Sequence, residues 1–196
     1  MTTKEAIIKV AEKQFILNGY EDTTLRKIAA KCNITATAIY RHYKDKEEIF
    51  QSVIRPFLDK VKTEASKIEN DDYELLNRGS IEEMWKSEED NNYYFELLFK
   101  EHRDIALLVI KERREWLKNL FVDIEYSCTN RYLKKMKELG YKINEVDECS
   151  FKTILESYLD AYFHILEMKL SDEEAFNICK TISNFYRAGF RNLLGF

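Results

Sequence analysis

The sequence predicts an all-α protein: a small three-helix head at the N-terminus followed by a larger helical body. Three observations lead there. Among 196 residues stand only five Gly and a single Pro, too few turn formers for a many-stranded sandwich or barrel. Apolar residues recur at three- and four-residue spacing over most of the chain. Finally, a short polar residue followed three positions later by Glu, the spacing of a helix-opening capping box, occurs at Thr2 with Glu5, Asp45 with Glu48, Ser80 with Glu83 and Ser171 with Glu174.

Taken in order, Thr2 opens a first helix in which Ile7, Val10, Ala11 and Phe15 share one side until Asn18-Gly19 stops it. Thr23 or Thr24 then caps a short second helix with Leu25, Ile28, Ala29 and Cys32 inward, and Asn33, tolerant of left-handed dihedrals, ends it. Thr35 caps a third helix from Ala36 to about His42, held by Ile34, Ile39 and Tyr43. Asp45 opens a fourth that carries Ile49, Phe50, Val53 and Phe57 toward Ala65. Pro56 lies inside it, lacks the N–H that would bond the Ser52 carbonyl, and predicts a kink. Glu69 to Asp72 is polar enough to predict a loop, and Ser80 starts a further helix. Asp104 to Leu139 is helix-compatible with one break near Lys111 to Arg114 and a stop at Gly140. Two strongly apolar segments close the chain, Glu148 to Met168 and Ser171 to Leu194. The domain boundary falls near 45–50, giving residues 1–47 and 48–196.

Charge is unevenly placed. The net charge is −4, yet between Thr23 and Lys46 six cations (Arg26, Lys27, Lys31, Arg41, Lys44, Lys46) face one acid, Asp45. A short basic island on an acidic protein predicts a confined polyanion contact. Two helices joined by a tight turn, the second about 10 Å long, suit a major groove about 12 Å wide. Ala36 or Thr37 with Tyr40 and Arg41 then face away from Ile39 and Tyr43, so one side packs and the other reads.

The runs Thr23-Thr24-Leu25-Arg26-Lys27-Ile28-Ala29 and Ile34-Thr35-Ala36-Thr37-Ala38-Ile39-Tyr40-Arg41-His42-Tyr43-Lys44-Asp45-Lys46-Glu47-Glu48-Ile49-Phe50 resemble the DNA-binding signature of the TetR family. The resemblance covers residues 5 to 50 or so; Ala36 stands where many members carry a longer polar side chain and Thr37 where many carry Gly. It implies a homodimer with a helix-turn-helix head on each subunit, bound to a double-stranded operator and released by a small-molecule effector. It also implies phosphate contacts from Thr24, Tyr40, His42 and Lys46, and base-facing positions at Thr35, Ala36, Thr37 and Arg41.

The body is rich in aromatic residues. Phe95, Phe99, Trp116, Tyr126, Tyr158 and Tyr162 are the candidates for lining an effector pocket, whose occupant the residues leave open between cationic, neutral and fatty. The last two segments are apolar on more than one side, which predicts burial against a two-fold mate through Tyr158, Phe163, Ile182, Phe185 and Phe190. Cys32, Cys128, Cys149 and Cys179 form no CxxC pair and read as buried reduced thiols, and His164 as a core histidine. No phosphate loop, HExxH motif or zinc set is present, so neither a cofactor nor an enzyme activity is expected. The charged N-terminus and the lack of a long apolar run predict a cytoplasmic protein that does not contact a membrane. A helical small-molecule-binding protein, or an enzyme without DNA function, remains the alternative.

Overall fold

The computed structural model describes residues 2–80 and 96–195, excepting the side chains of 96, 97 and 99. Its elements are helical: α1 (Thr3–Asp22), α2 (Leu25–Lys31), α3 (Ala36–Ile39), α4 (Lys46–Asn77), a π-helical turn (Glu96–Glu101), α5 (Arg103–Glu138), α6 (Glu148–Glu167) and α7 (Asp172–Leu194). The chain divides into two compact units, Met1–Lys60 with Asp104–Arg113, and Val61–Arg103 with Arg114–Phe196.

In the first unit the caps set the helix starts. Thr2 and Glu5 form the reciprocal box, Thr24 Oγ1 accepts from the Lys27 amide at 3.2 Å, and Thr35 Oγ1 accepts from the Ala38 amide at 3.2 Å. Each such cap stabilises its helix by about 1 kcal/mol. Asp45 accepts from the Glu48 amide at 2.8 Å, while the Glu48 carboxylate turns back to the Lys44 amide. Gly19, with a φ of 79°, kinks α1 within its last turn, and Asn33, with a φ of 55°, follows the end of α2. The core of this unit is Ile7, Ala11, Phe15, Ile28, Ile39, Tyr43, Ile49, Phe50, Ile54 and Phe57, all buried. Phe15 and Phe50 meet edge to face at 5.3 Å, a favourable aromatic geometry.

Two expectations fail here. The third helix is regular only over Ala36–Ile39; the chain coils on through single bonds such as His42 N to Ile39 O at 2.8 Å and Tyr43 N to Ile39 O at 3.0 Å. Its last residues therefore sit in a turn, held by Tyr43 rather than by a continued helical ladder. Glu69 to Asp72 is not a loop, because α4 continues to Asn77 through Pro56 and this polar stretch. The reason is tertiary: Arg131 Nε and Nη2 grip the Glu69 carboxylate at 2.6 and 2.8 Å, and Leu76 is buried with Tyr132 and Met136. The helix expected from Ser80 lies outside the described residues.

The second unit gathers the far part of α4, most of α5, and the α6–α7 hairpin. Asp147 and Ser171 cap α6 and α7, the latter with Glu174 as a complete box, and Gly195 ends α7 at φ 87°. Phe121 and Phe163 pack edge to face at 6.4 Å, and Lys118 pairs with Asp160 at 3.3 Å between α5 and α6. The break expected near Lys111 to Arg114 is present at Arg113, whose φ of −146° and ψ of 38° leave the helical region. His164 is exposed, so it is no core histidine, and Cys149, in the first turn of α6, is exposed as well. Among the described residues no helix is long and apolar enough to cross a membrane.

Candidate nucleic-acid interface

The head presents a row of polar side chains from a short, well-anchored support. Ile39 is fully buried, and Tyr43, also buried, donates its hydroxyl to the Lys4 carbonyl at 3.5 Å. With that side of α3 fixed, Thr35, Thr37, Tyr40, Arg41 and His42 are exposed and Ala36 is half-buried; Tyr40 is 59% exposed, unusual for so large an apolar ring. Thr24 is exposed at the start of α2. The hydroxyls of Thr24 and Thr35 use a lone pair to cap their helices, which leaves each proton available to donate to a phosphate oxygen. Arg26, Lys31 and Lys44 are exposed and extend the positive surface.

Lys46 differs from the others. Its Nζ donates to the carbonyls of Tyr20 at 2.8 Å and Glu21 at 3.4 Å, and sits 4.1 Å from the centroid of the Tyr20 ring. It thus satisfies carbonyls at the end of α1, where a cation is favoured by the helix dipole.

In the second unit a cavity of about 260 Å³ is lined by apolar side chains including Phe121, Leu155, Leu159 and Phe190, together with Tyr73, Tyr132, Tyr158, Tyr162 and Tyr186. Glu69, Asp72, Glu125 and Arg187 also line it. Tyr158 donates to the Tyr162 hydroxyl at 3.3 Å, and Tyr162 donates to the Cys179 carbonyl at 3.4 Å. Burial pushes both phenols up, so they stay neutral donors. Tyr126 lines a separate pocket of about 400 Å³ near Asn144, and Trp116 is 42% exposed and lines neither. Phe95 and the Phe99 side chain lie outside the described residues.

Of the five residues expected at a two-fold interface, Phe163 is enclosed by its own chain, and Tyr158, Ile182 and Phe190 are half-buried. Phe185 is 73% exposed, its ring edge-on to Tyr186 at 5.5 Å. The residues of α7 exposed between 181 and 192 are Thr181, Asn184, Phe185, Ala188, Gly189 and Asn192, none of them charged.

Sequence reasoning missed two groups. Glu47 and Arg113, which form an ion pair at 3.3 Å, are 66 residues apart; only the helix break near Arg113 hinted at a special role. Ser183 and Arg187 of the cavity wall lie among apolar residues of α7 and carried no signal of their own.

Residues 7–53 match the profile of the family described as bacterial regulatory proteins, tetR family. Over 52 residues the chain is 46% identical to the HTH-type transcriptional repressor BepR of Brucella suis biovar 1 (strain 1330), covering 26% of this chain and 25% of that one. Over 109 residues it is 30% identical to YerO of Bacillus subtilis (strain 168), an uncharacterized HTH-type transcriptional regulator, covering 56% of this chain and 35% of that one. The matches thus span about a quarter and about a third of these relatives' lengths. The fold is similar to that of SmeT, the repressor of the Stenotrophomonas maltophilia multidrug efflux pump SmeDEF, with a TM-score of 0.62 at 17% identity over 96% of this chain and 90% of that one.

Proposed function

We propose that this chain, whose residues 7–53 match the tetR family of bacterial regulatory proteins, is a transcriptional repressor that grips operator DNA as a homodimer and lets go when a small molecule binds. In this reading residues 1–47 read the DNA and residues 48–196 bind the effector and dimerise. The observation that carries the proposal is the exposed row Thr35, Thr37, Tyr40, Arg41 and His42 standing on the buried pair Ile39 and Tyr43. Base edges are then met by Thr35, Ala36, Thr37 and Arg41, with apolar contact to thymine methyls open to Ala36 and Thr37. Phosphates are met by Thr24, Tyr40, His42 and Lys46, the last after giving up its carbonyls or while bracing α1.

The direct test is selection of duplexes from a random library. The protein should recover a near-palindromic sequence, half-sites about one helical turn apart, and bind it with a log–log salt slope of about −0.9 for each phosphate neutralised. Recovery of no preferred duplex, or an affinity indifferent to salt, overturns the repressor reading and favours the small-molecule-binding alternative.

The effector is assigned to the tyrosine-lined cavity, where an apolar body is enclosed and phenols orient it. A neutral apolar fluorophore, N-phenyl-1-naphthylamine, should brighten on binding there. Leu155→Trp, which fills part of a 260 Å³ space, should weaken its binding about tenfold, or about 1.4 kcal/mol. Equal binding by the variant and the original protein would place the fluorophore elsewhere.

A further inference from the structure

Three segments far apart in sequence meet where α1 ends, all within the first compact unit. Gly19 adopts a φ of 79°, which favours glycine, and a Cβ there would stand 2.9 Å from Glu112 Oε1 and oblige that carboxylate to shift. That same carboxylate oxygen accepts from the Tyr20 amide at 3.1 Å. Arg113 follows, outside helical dihedrals, with Nη1 donating to the Glu112 carbonyl at 2.9 Å and Nη2 donating to Glu47 Oε2 at 3.3 Å. Its guanidinium lies 4.9 Å from the centroid of the Tyr20 ring and 5.7 Å from that of Phe50. Glu47 also accepts from Gln51 at 2.7 Å, and Lys46 on the adjoining residue covers the same Tyr20 ring.

Two carboxylates meet here: Glu112 is engaged by the Tyr20 amide, while Glu47 lies beside the cations Arg113 and Lys46. Burial works against the Glu47 charge, yet hydrogen bonds from Gln51, Tyr20 and Arg113 hold its carboxyl below the usual range. Burial, followed by the nearby Glu47, pushes the Tyr20 phenol up to about 12, so it remains a neutral donor. A carboxylate next in sequence to Lys46, which the proposed function assigns to phosphate, opposes that contact unless something neutralises it. Arg113 is placed to do so, and its planar fork and stacking on Tyr20 suit the task better than a lysine would.

We infer that Arg113, outside the segment that matches the family profile, is a positioning residue for DNA binding: it neutralises Glu47 and fixes the end of α1 against the start of α4. The inference rests on the DNA-binding reading of the head and adds to it a residue from the body helix. The Arg113 and Glu47 side chains are 34% and 42% exposed, so their pairing adds little to stability and its loss should be felt in DNA affinity first. The break in α5 at Arg113 gives the guanidinium this aim, since a helical Arg113 would carry its side chain in another direction.

The experiment titrates the full chain with the duplex that it selects from a random library, alongside a scrambled duplex and a thermal melt. Arg113→Ala should bind the selected duplex about tenfold more weakly while melting within a few degrees of the original protein. Adding Glu47→Gln to Arg113→Ala should restore most of the loss, because the harm comes from the unpaired carboxylate. A merely structural arginine would show no such rescue. Should Arg113→Ala fail to fold, Arg113→Lys, which keeps the charge but not the fork, should lose about threefold and regain it with Glu47→Gln. Affinity of Arg113→Ala, or in that event of Arg113→Lys, indistinguishable from the original protein overturns the inference, as does a Glu47→Gln double variant no better than its single parent. If the unaltered protein selects no duplex, the DNA-binding reading falls and the inference with it, an outcome separate from failure of the arginine variants.

Discussion

Phe185→Asp is expected to turn a dimer into monomers at micromolar concentration and to reduce operator affinity by at least about a hundredfold. Phe185 is 73% exposed on the single chain, and its neighbours on the outer side of α7 are Thr181, Asn184, Ala188, Gly189 and Asn192. A helix face that meets water normally carries Lys, Glu or Arg, as the first turn of α7 does with Asp172, Glu173 and Glu174; a face of small uncharged residues around one large ring suits close approach by another helix. In a two-fold interface each substitution occurs twice, and each leaves an unpaired carboxylate buried at a cost of about 3–5 kcal/mol. Loss of the dimer then removes one of the two heads that bind a palindrome together, so operator binding falls with it. Sedimentation equilibrium and operator titration of both proteins measure the two effects. A dimeric Phe185→Asp, or an unaltered protein that is monomeric at micromolar concentration, contradicts the assignment of this face.

What could be read in the sequence was what is decided locally. The capping boxes at Thr2 and Ser171, the single caps at Thr24 and Thr35, and the left-handed stop at Asn33 each depend on residues within four positions, and each stands where the spacing placed it, whereas Gly19 only kinks α1, which runs on to Asp22. The break in α5 was legible for the same reason. The full length of α4 was not. Glu69 to Asp72 is polar, and only the distant Arg131, with Tyr132 and Met136 closing over Leu76, supplies the partners that hold it helical. The shortness of α3 was also hidden, because its regular part is ended by bonds to Ile39 that depend on where Tyr43 is buried. His164 follows Phe163 yet points outward, a matter of a hundred degrees of helix rotation that an apolar neighbourhood does not reveal. The exposed row of the head could be listed from its signature, but the junction of Tyr20, Glu47 and Arg113 joins three segments and exists only in the fold.

Arg41→Ala should separate reading from holding. Arg41 is exposed just beyond the regular part of α3, where its amide still bonds the Ala38 carbonyl at 3.4 Å, so its backbone is restrained while its side chain is free to reach. An arginine at a base edge discriminates by about 1–3 kcal/mol through paired donors to guanine, whereas one at a phosphate attracts every sequence alike. In a homodimer on a palindrome the loss counts once per half-site, or about 2–6 kcal/mol in all for the selected duplex. For a scrambled duplex the same substitution should cost no more than the general attraction of one charge per head. The ratio of the two affinities, measured at one salt concentration, should therefore collapse by a factor of about thirty or more. Lys44→Ala, a nearby exposed cation outside the reading row, serves as the contrast: it should weaken both duplexes by a similar factor and leave that ratio in place. An Arg41→Ala protein whose affinity falls equally on both duplexes would make Arg41 a phosphate anchor and move the base-reading role onto Thr35, Ala36 and Thr37.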